Sequence, residues 1–112
     1  MKGTNLGEFE ELVLLTVGIL NNDAYSIAIG NEINRITKRK VSFAVVHSAL
    51  NRLEEKGYVD SKLGGATKER GGRSKRLFTI SQAGKKALLR AKSQRDELWR
   101  LIPKVVFKNV GA

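Results

Sequence analysis

The sequence contains no cysteine and only one histidine, His47. Without cysteine there is no disulfide framework and no thiolate metal site. A lone histidine has no second ligand near it in sequence to hold a metal, and no Ser/His/acid grouping is set by spacing. Gly84-Lys85-Lys86 is not a phosphate-binding loop, because it lacks the upstream glycine and the following hydroxyl. The carboxylates fall mostly on amphipathic faces, where solvation accounts for them. The expectation is therefore a non-enzyme with no catalytic residue, no metal and no cofactor. The longest apolar-rich run, residues 12–20, is too short to span a bilayer and lacks a signal peptide's basic flank and cleavage site. Cytoplasmic location without a membrane partner is the default expectation. Proline is nearly absent too: Pro103 alone punctuates the chain, so long helices can form before it.

What the chain has in excess is positive charge. Its 112 residues carry a net charge of +10, unevenly distributed. Residues 1–60 hold seven Lys/Arg against eight Asp/Glu, residues 61–81 six against one, and residues 82–112 eight against two. An asymmetry of this kind points to a polyanion, either nucleic acid or an anionic membrane surface. The length is that of one domain with a small core, which burial against a second subunit would help to stabilise.

Four helices and one hairpin are predicted. The first helix covers about residues 7–20, and its run from Leu12 to Leu20 is apolar around most of its circumference. A helix of that kind must be covered on two sides. Asn21-Asn22-Asp23 ends it. The second helix, about residues 24–38, has Tyr25, Ile29, Ile33 and Ile36 on one stripe, with Arg35, Lys38, Arg39 and Lys40 at its C-terminal end. The third is delimited at both ends. Ser42 is a good N-cap, Val46, Ala49, Leu50 and Leu53 form the inward stripe, and Gly57 with Tyr58 fits a Schellman ending. Residues 58–63 and 76–80 are β-prone, and the basic, glycine-rich stretch between them is too long for a tight turn. The fourth helix follows Ser81 and runs to about Ile102, with Leu88, Ala91, Leu98 and Ile102 at helical spacing and Arg95 interrupting. Leu101 and Trp99 widen that face. The fold class expected is mainly α with a small β-hairpin: a winged helix-turn-helix over residues 1–81, a long dimerisation helix over residues 82–103 of the same compact domain, and a tail over residues 104–112.

This order places the third helix as the one suited to the major groove. Its outward face presents Ser42, Ala44, His47, Ser48, Asn51 and Arg52; small residues allow close approach, and Asn can pair with adenine. The loop becomes a wing, with Lys68, Arg70, Arg73, Lys75 and Arg76 spaced for phosphates or a minor groove, and Gly71 and Gly72 letting the backbone lie close. The protruding fourth helix and the over-apolar first helix cover each other across a two-fold axis, an interface of Leu12, Leu15, Ile19, Leu88, Ala91, Leu98, Trp99 and Ile102. Double-stranded DNA and a second copy of the chain are the partners expected. The alternative is a winged helix used for protein or anionic-membrane contact without sequence reading.

From Leu6 to Ile102 the chain resembles the PadR family of transcriptional regulators. The resemblance is carried by Glu11-Leu12-Val13-Leu14-Leu15 with Tyr25-Ser26-Ile27, by Ala49-Leu50-Asn51-Arg52-Leu53-Glu54-Glu55-Lys56-Gly57-Tyr58-Val59, and by Glu69-Arg70-Gly71-Gly72-Arg73-Ser74-Lys75-Arg76 closing on Ile80-Ser81-Gln82-Ala83-Gly84. It implies a homodimeric winged helix, usually a repressor, of the compact branch with a single C-terminal helix packed on the partner's first helix. Two positions depart from the family. His47-Ser48 replaces a Tyr-Pro pair of many members. Arg95 occupies the place of a tryptophan on which some compact members stack a planar aromatic effector, with Trp99 one turn later; Trp99 and Arg95 are the ligand-site residues that the resemblance implies.

Overall fold

A computed structural model describes residues 5–63 and 75–111. The order is α1 (Glu8–Leu20), a 3-10 turn (Asn21–Asp23), α2 (Ser26–Thr37), α3 (Phe43–Glu55), β1 (Val59–Leu63), β2 (Arg76–Ile80), α4 (Gln82–Leu101) and a second 3-10 turn (Lys104–Phe107). This is the mainly helical fold with one antiparallel hairpin that the sequence predicts. Val59 pairs with Ile80, Ser61 with Phe78 and Leu63 with Arg76.

The core lies where α1, α2 and α3 meet above the hairpin. Val13, Leu14 and Val17 come from α1, Ile29 and Ile33 from α2, and Val46, Ala49, Leu50 and Leu53 from α3; Val59 and Phe78 close it from the sheet. The predicted α3 stripe is buried in full. The α2 stripe is not. Tyr25 is the N-cap residue, and it bridges to Leu77 of β2 rather than lying on a helical face. Ile36, on the last turn, is 46% exposed. The reason is local: Lys38 takes a left-handed conformation (φ 62°) and ends the helix one residue later, so Ile36 lies beyond the reach of α3.

Hydrogen bonds fix the angle between α2 and α3. Asn34 on α2 accepts the Val41 N–H at 2.9 Å and donates to the Val41 carbonyl at 3.2 Å, so one amide closes the inter-helix turn. Ser42 then caps α3, its hydroxyl accepting the Val45 N–H at 3.3 Å. At the other end Gly57 has φ 79°, Tyr58 N–H donates to the Leu53 carbonyl at 2.9 Å and Gly57 N–H to that of Glu54 at 3.0 Å. These two bonds are the Schellman ending.

The root of α4 is tight. The Ser81 hydroxyl accepts the Gly84 N–H at 3.0 Å while donating to the Gly57 carbonyl, and Ser81 N–H donates to the Tyr58 carbonyl at 3.0 Å. A Cβ on Gly84 would lie 2.1 Å from the Tyr58 carbonyl oxygen, so only glycine lets α4 start against this junction. Beyond Ala91 the helix leaves the core, with Leu98, Trp99 and Leu101 each at least 60% exposed. The Trp99 ring stacks on Phe107 of the terminal 3-10 turn (centroids 5.7 Å apart, planes at 21°), a contact that sequence spacing leaves invisible.

Candidate nucleic-acid interface

The chemistry available on α3 follows from its rotation, at about 100° per residue. With Val46, Ala49, Leu50 and Leu53 turned inward, Ala44, Ser48 and Asn51 form the middle of the opposite face, and all three are exposed. Phe43 and His47 run along one flank, their rings 5.6 Å apart and tilted by 51°. Val45 and Arg52 lie on the other flank. Ser42, Ala44, His47, Ser48 and Asn51 are thus brought onto one continuous surface. His47 is half-buried, consistent with its contact with Phe43.

Arg52, half exposed on its flank, also bonds within the fold. Its Nε donates to Glu10 Oε2 of α1 at 2.8 Å, and Lys56 Nζ reaches Glu10 Oε1 at 2.6 Å. The Gly7 N–H adds a third bond to Glu10 at 3.1 Å. Burial of Glu10, which is 7% exposed, pushes its pKa up, but the bonds from Lys56, Gly7 and Arg52 more than offset this and hold it below its ordinary value. Arg52 and Lys56 therefore tie α3 to α1, and this cluster escapes sequence reading because Glu10 and Arg52 are far apart in the chain.

Of the predicted wing, Lys68, Arg70, Gly71, Gly72 and Arg73 lie outside the described residues. Its stem is described. Lys75 Nζ sits 5.5 Å from the centroid of the Tyr25 ring, a cation–π contact. Arg76 Nη1 donates to the Ser61 hydroxyl at 2.7 Å, and Ser61 donates to Glu54 Oε2 at 2.7 Å. This relay joins the C-terminal turn of α3 to both strands, so recognition helix and hairpin form one unit.

The remaining predicted residues lie on α1 and α4. Leu15 and Ile19 are exposed on α1; Leu12 is half-buried. On α4, Leu88 packs against the core, Ala91 and Ile102 are half-buried, and Leu98 and Trp99 are exposed. Arg95 Nη2 donates to Glu11 of α1 at 2.6 Å. Arg95 and Leu98 border a cleft of about 550 Å³ between α4 and the start of α1, with Leu6, Glu11, Ala91 and Gln94 among its other walls; Trp99 is outside it. Among the described residues no helix is long and apolar enough to cross a membrane.

Sequence reading missed Phe43 and Val45. Both are large apolar groups on the first turn of α3, at 55% and 48% exposure. The wheel signals only Val45, which lies off the buried stripe; Phe43, three and seven residues before Val46 and Leu50, falls at the edge of that stripe and is exposed on the first turn.

No protein-family model matches the chain, and no curated protein does. Solved structures do match. A PadR-like transcription factor from Bacteroides fragilis superposes with a TM-score of 0.69 at 17% identity, over 82% of this chain and 84% of that one. A transcriptional regulator from Clostridium thermocellum is similar at 26% identity, with a TM-score of 0.61, covering 91% of this chain and 92% of its own. BpsR of Bordetella bronchiseptica, whose DNA binding is described as regulated by 6-hydroxynicotinic acid, covers 99% of this chain and 72% of its own, at 12% identity and a TM-score of 0.67. With its capped recognition helix, antiparallel hairpin and single long C-terminal helix, the chain has the winged-helix fold of PadR-like transcriptional regulators.

Proposed function

We propose that this protein is a homodimeric, sequence-specific DNA-binding regulator of transcription that acts as a repressor. The observation that carries the reading is the outward face of α3. It is capped, held at a set angle by Asn34 and Glu10, and free of acidic side chains until Glu54. Ser42, Ala44, His47, Ser48 and Asn51 enter the major groove, with Asn51 reading an adenine edge. The wing residues Lys68, Arg70 and Arg73, with Gly71 and Gly72, meet phosphates or the minor groove, and Lys75 and Arg76 extend that charge along the stem. Residues 1–60 are close to neutral, so most of the affinity comes from the wing.

The two-fold partner packs on the exposed faces of α1 and α4, through Leu12, Leu15, Ile19, Leu98 and Trp99. An effector with a planar aromatic ring binds beside Arg95 and Trp99 and releases DNA. The cleft at Arg95 and the effector-regulated binding of BpsR support this step.

Anisotropy titrations with duplex DNA at several salt concentrations test the central claim: the affinity falls steeply with salt, and a log–log slope near zero would refute it. Arg73→Ala weakens binding to all sequences alike, whereas Asn51→Ala changes base preference. Identical behaviour of the two variants would overturn the assigned roles. Sedimentation tests the dimer, a well-folded monomer at micromolar concentration being the contrary result. Trp99 fluorescence titrated with planar cationic dyes and phenolic acids tests the effector site.

A further inference from the structure

The first turn of α3 carries an unusual surface for an element that faces a polyanion. Phe43 and Val45 are about half exposed, and Ala44 between them is exposed as well. None of the three has a polar side-chain atom, and they occupy the end of the helix that enters the groove most deeply in a helix-turn-helix. Burying three apolar side chains against phosphate or water-facing base edges would gain nothing. The main apolar group on the major-groove edge of the bases is the C5-methyl of thymine, displayed at A·T and T·A pairs on opposite sides of the groove and at neither orientation of a G·C pair.

We propose that Phe43 and Val45 are specificity-determining residues that read thymine methyl groups in the major groove, so that the half-site contains thymines flanking the base read by Asn51. The proposal rests on the DNA-binding reading and extends it to a base chemistry. The geometry supports two separate contacts. Phe43 and Val45 are two residues apart, about 200° around the helix, so they flank the outward face on opposite sides and cannot meet the same methyl. The Phe43 ring is braced by His47 at 5.6 Å, which limits the rotamer freedom lost on binding. Val45 is β-branched and stiff in a helix, with the same consequence. Asn51, about two turns along and at the middle of the outward face between those flanks, pairs with adenine, so an A·T-rich half-site is the joint requirement.

Replacing thymine by deoxyuridine removes only the methyl and leaves the hydrogen-bonding edge intact. The test uses the full chain and a duplex selected from random DNA, with each thymine of the half-site exchanged singly for deoxyuridine and affinity read by anisotropy. Wild-type protein should lose roughly three- to fivefold in affinity at one or two positions, the size expected for one methyl withdrawn from an apolar contact. Phe43→Ala should bind the thymine and uracil duplexes equally at one of those positions, and Val45→Ala at the other. Equal wild-type affinity for every thymine and uracil duplex, with the selected sequence still preferred over others, overturns this proposal and leaves the DNA-binding reading standing. A methyl dependence that persists in both variants overturns it as well. Failure to bind any duplex at low salt removes both.

Discussion

At the scale of single residues, two positions carry more of the structure than their chemistry advertises. Glu10 is a buried carboxylate with three bonds, two of which, from Arg52 and Lys56, join α1 to α3, while the third holds the Gly7 cap of α1. Its pKa is lowered in the fold, so its contribution to stability is fully present above the ordinary glutamate value of 4.5 and is lost as pH falls through the lowered one. Glu10→Gln should cost about 1–3 kcal/mol near neutrality, since Lys56 and Arg52 lose a charged partner. Denaturant titrations of both proteins across pH check the sign: the gap between them should close in acid. Gly84 is the other. Gly84→Ala drives a methyl into the Tyr58 carbonyl, and a loss of about 1–3 kcal/mol or more is expected from overpacking against a backbone atom. Thermal unfolding followed by circular dichroism reads it directly.

At the scale of elements, the helix-turn-helix is held by its ends. Asn34→Ala removes both bonds that close the turn between α2 and α3 and should cost about 1–2 kcal/mol. Gly57→Ala probes a different term. Nothing lies within 4 Å of the added Cβ, so the expected loss of about 1 kcal/mol is strain at φ 79° alone. Chemical denaturation reads both losses, and anisotropy titration with duplex DNA separates the variants further: Asn34→Ala should also weaken DNA binding, because it frees the angle of α3, whereas Gly57→Ala should leave affinity near that of the wild type. The relay from Glu54 through Ser61 to Arg76 has the same character, joining α3 to the strands that bear the wing.

At the scale of the whole molecule, the proposed dimer rests on the 59 Å long axis and the exposed outer half of α4. A helix carrying Leu98, Trp99 and Leu101 into water gains nothing from tertiary packing there, and isolated helical turns are marginal. Leu98→Glu on α4 should shift sedimentation toward monomer and lower the melting temperature, while a surface control such as Lys85→Glu should do neither. If the dimer survives Leu98→Glu unchanged, the interface lies elsewhere.

The sequence by itself determined the fold class, the limits of α3 and the cap of α4, because caps, the φ > 0 glycine and the inward stripe are local and each depends on residues within one or two turns. Regional charge, counted along the chain, placed the basic excess in residues 61–112 without coordinates. Only the tertiary structure decided which exposed residues are free. Arg52 is exposed on a helical wheel and also bonds a glutamate 42 residues away; Arg95 likewise bonds Glu11 of α1, so each is positioned by a partner that no wheel shows. Ile36 fits the period of α2 but falls past the point where α3 can cover it. Pairings across the chain depend on how helices cross, which periodicity does not encode. The first turn of α3 returns the same lesson in reverse: Phe43 and Val45 look like core residues by type, and Phe43 even fits the period of Val46 and Leu50, yet both are about half exposed.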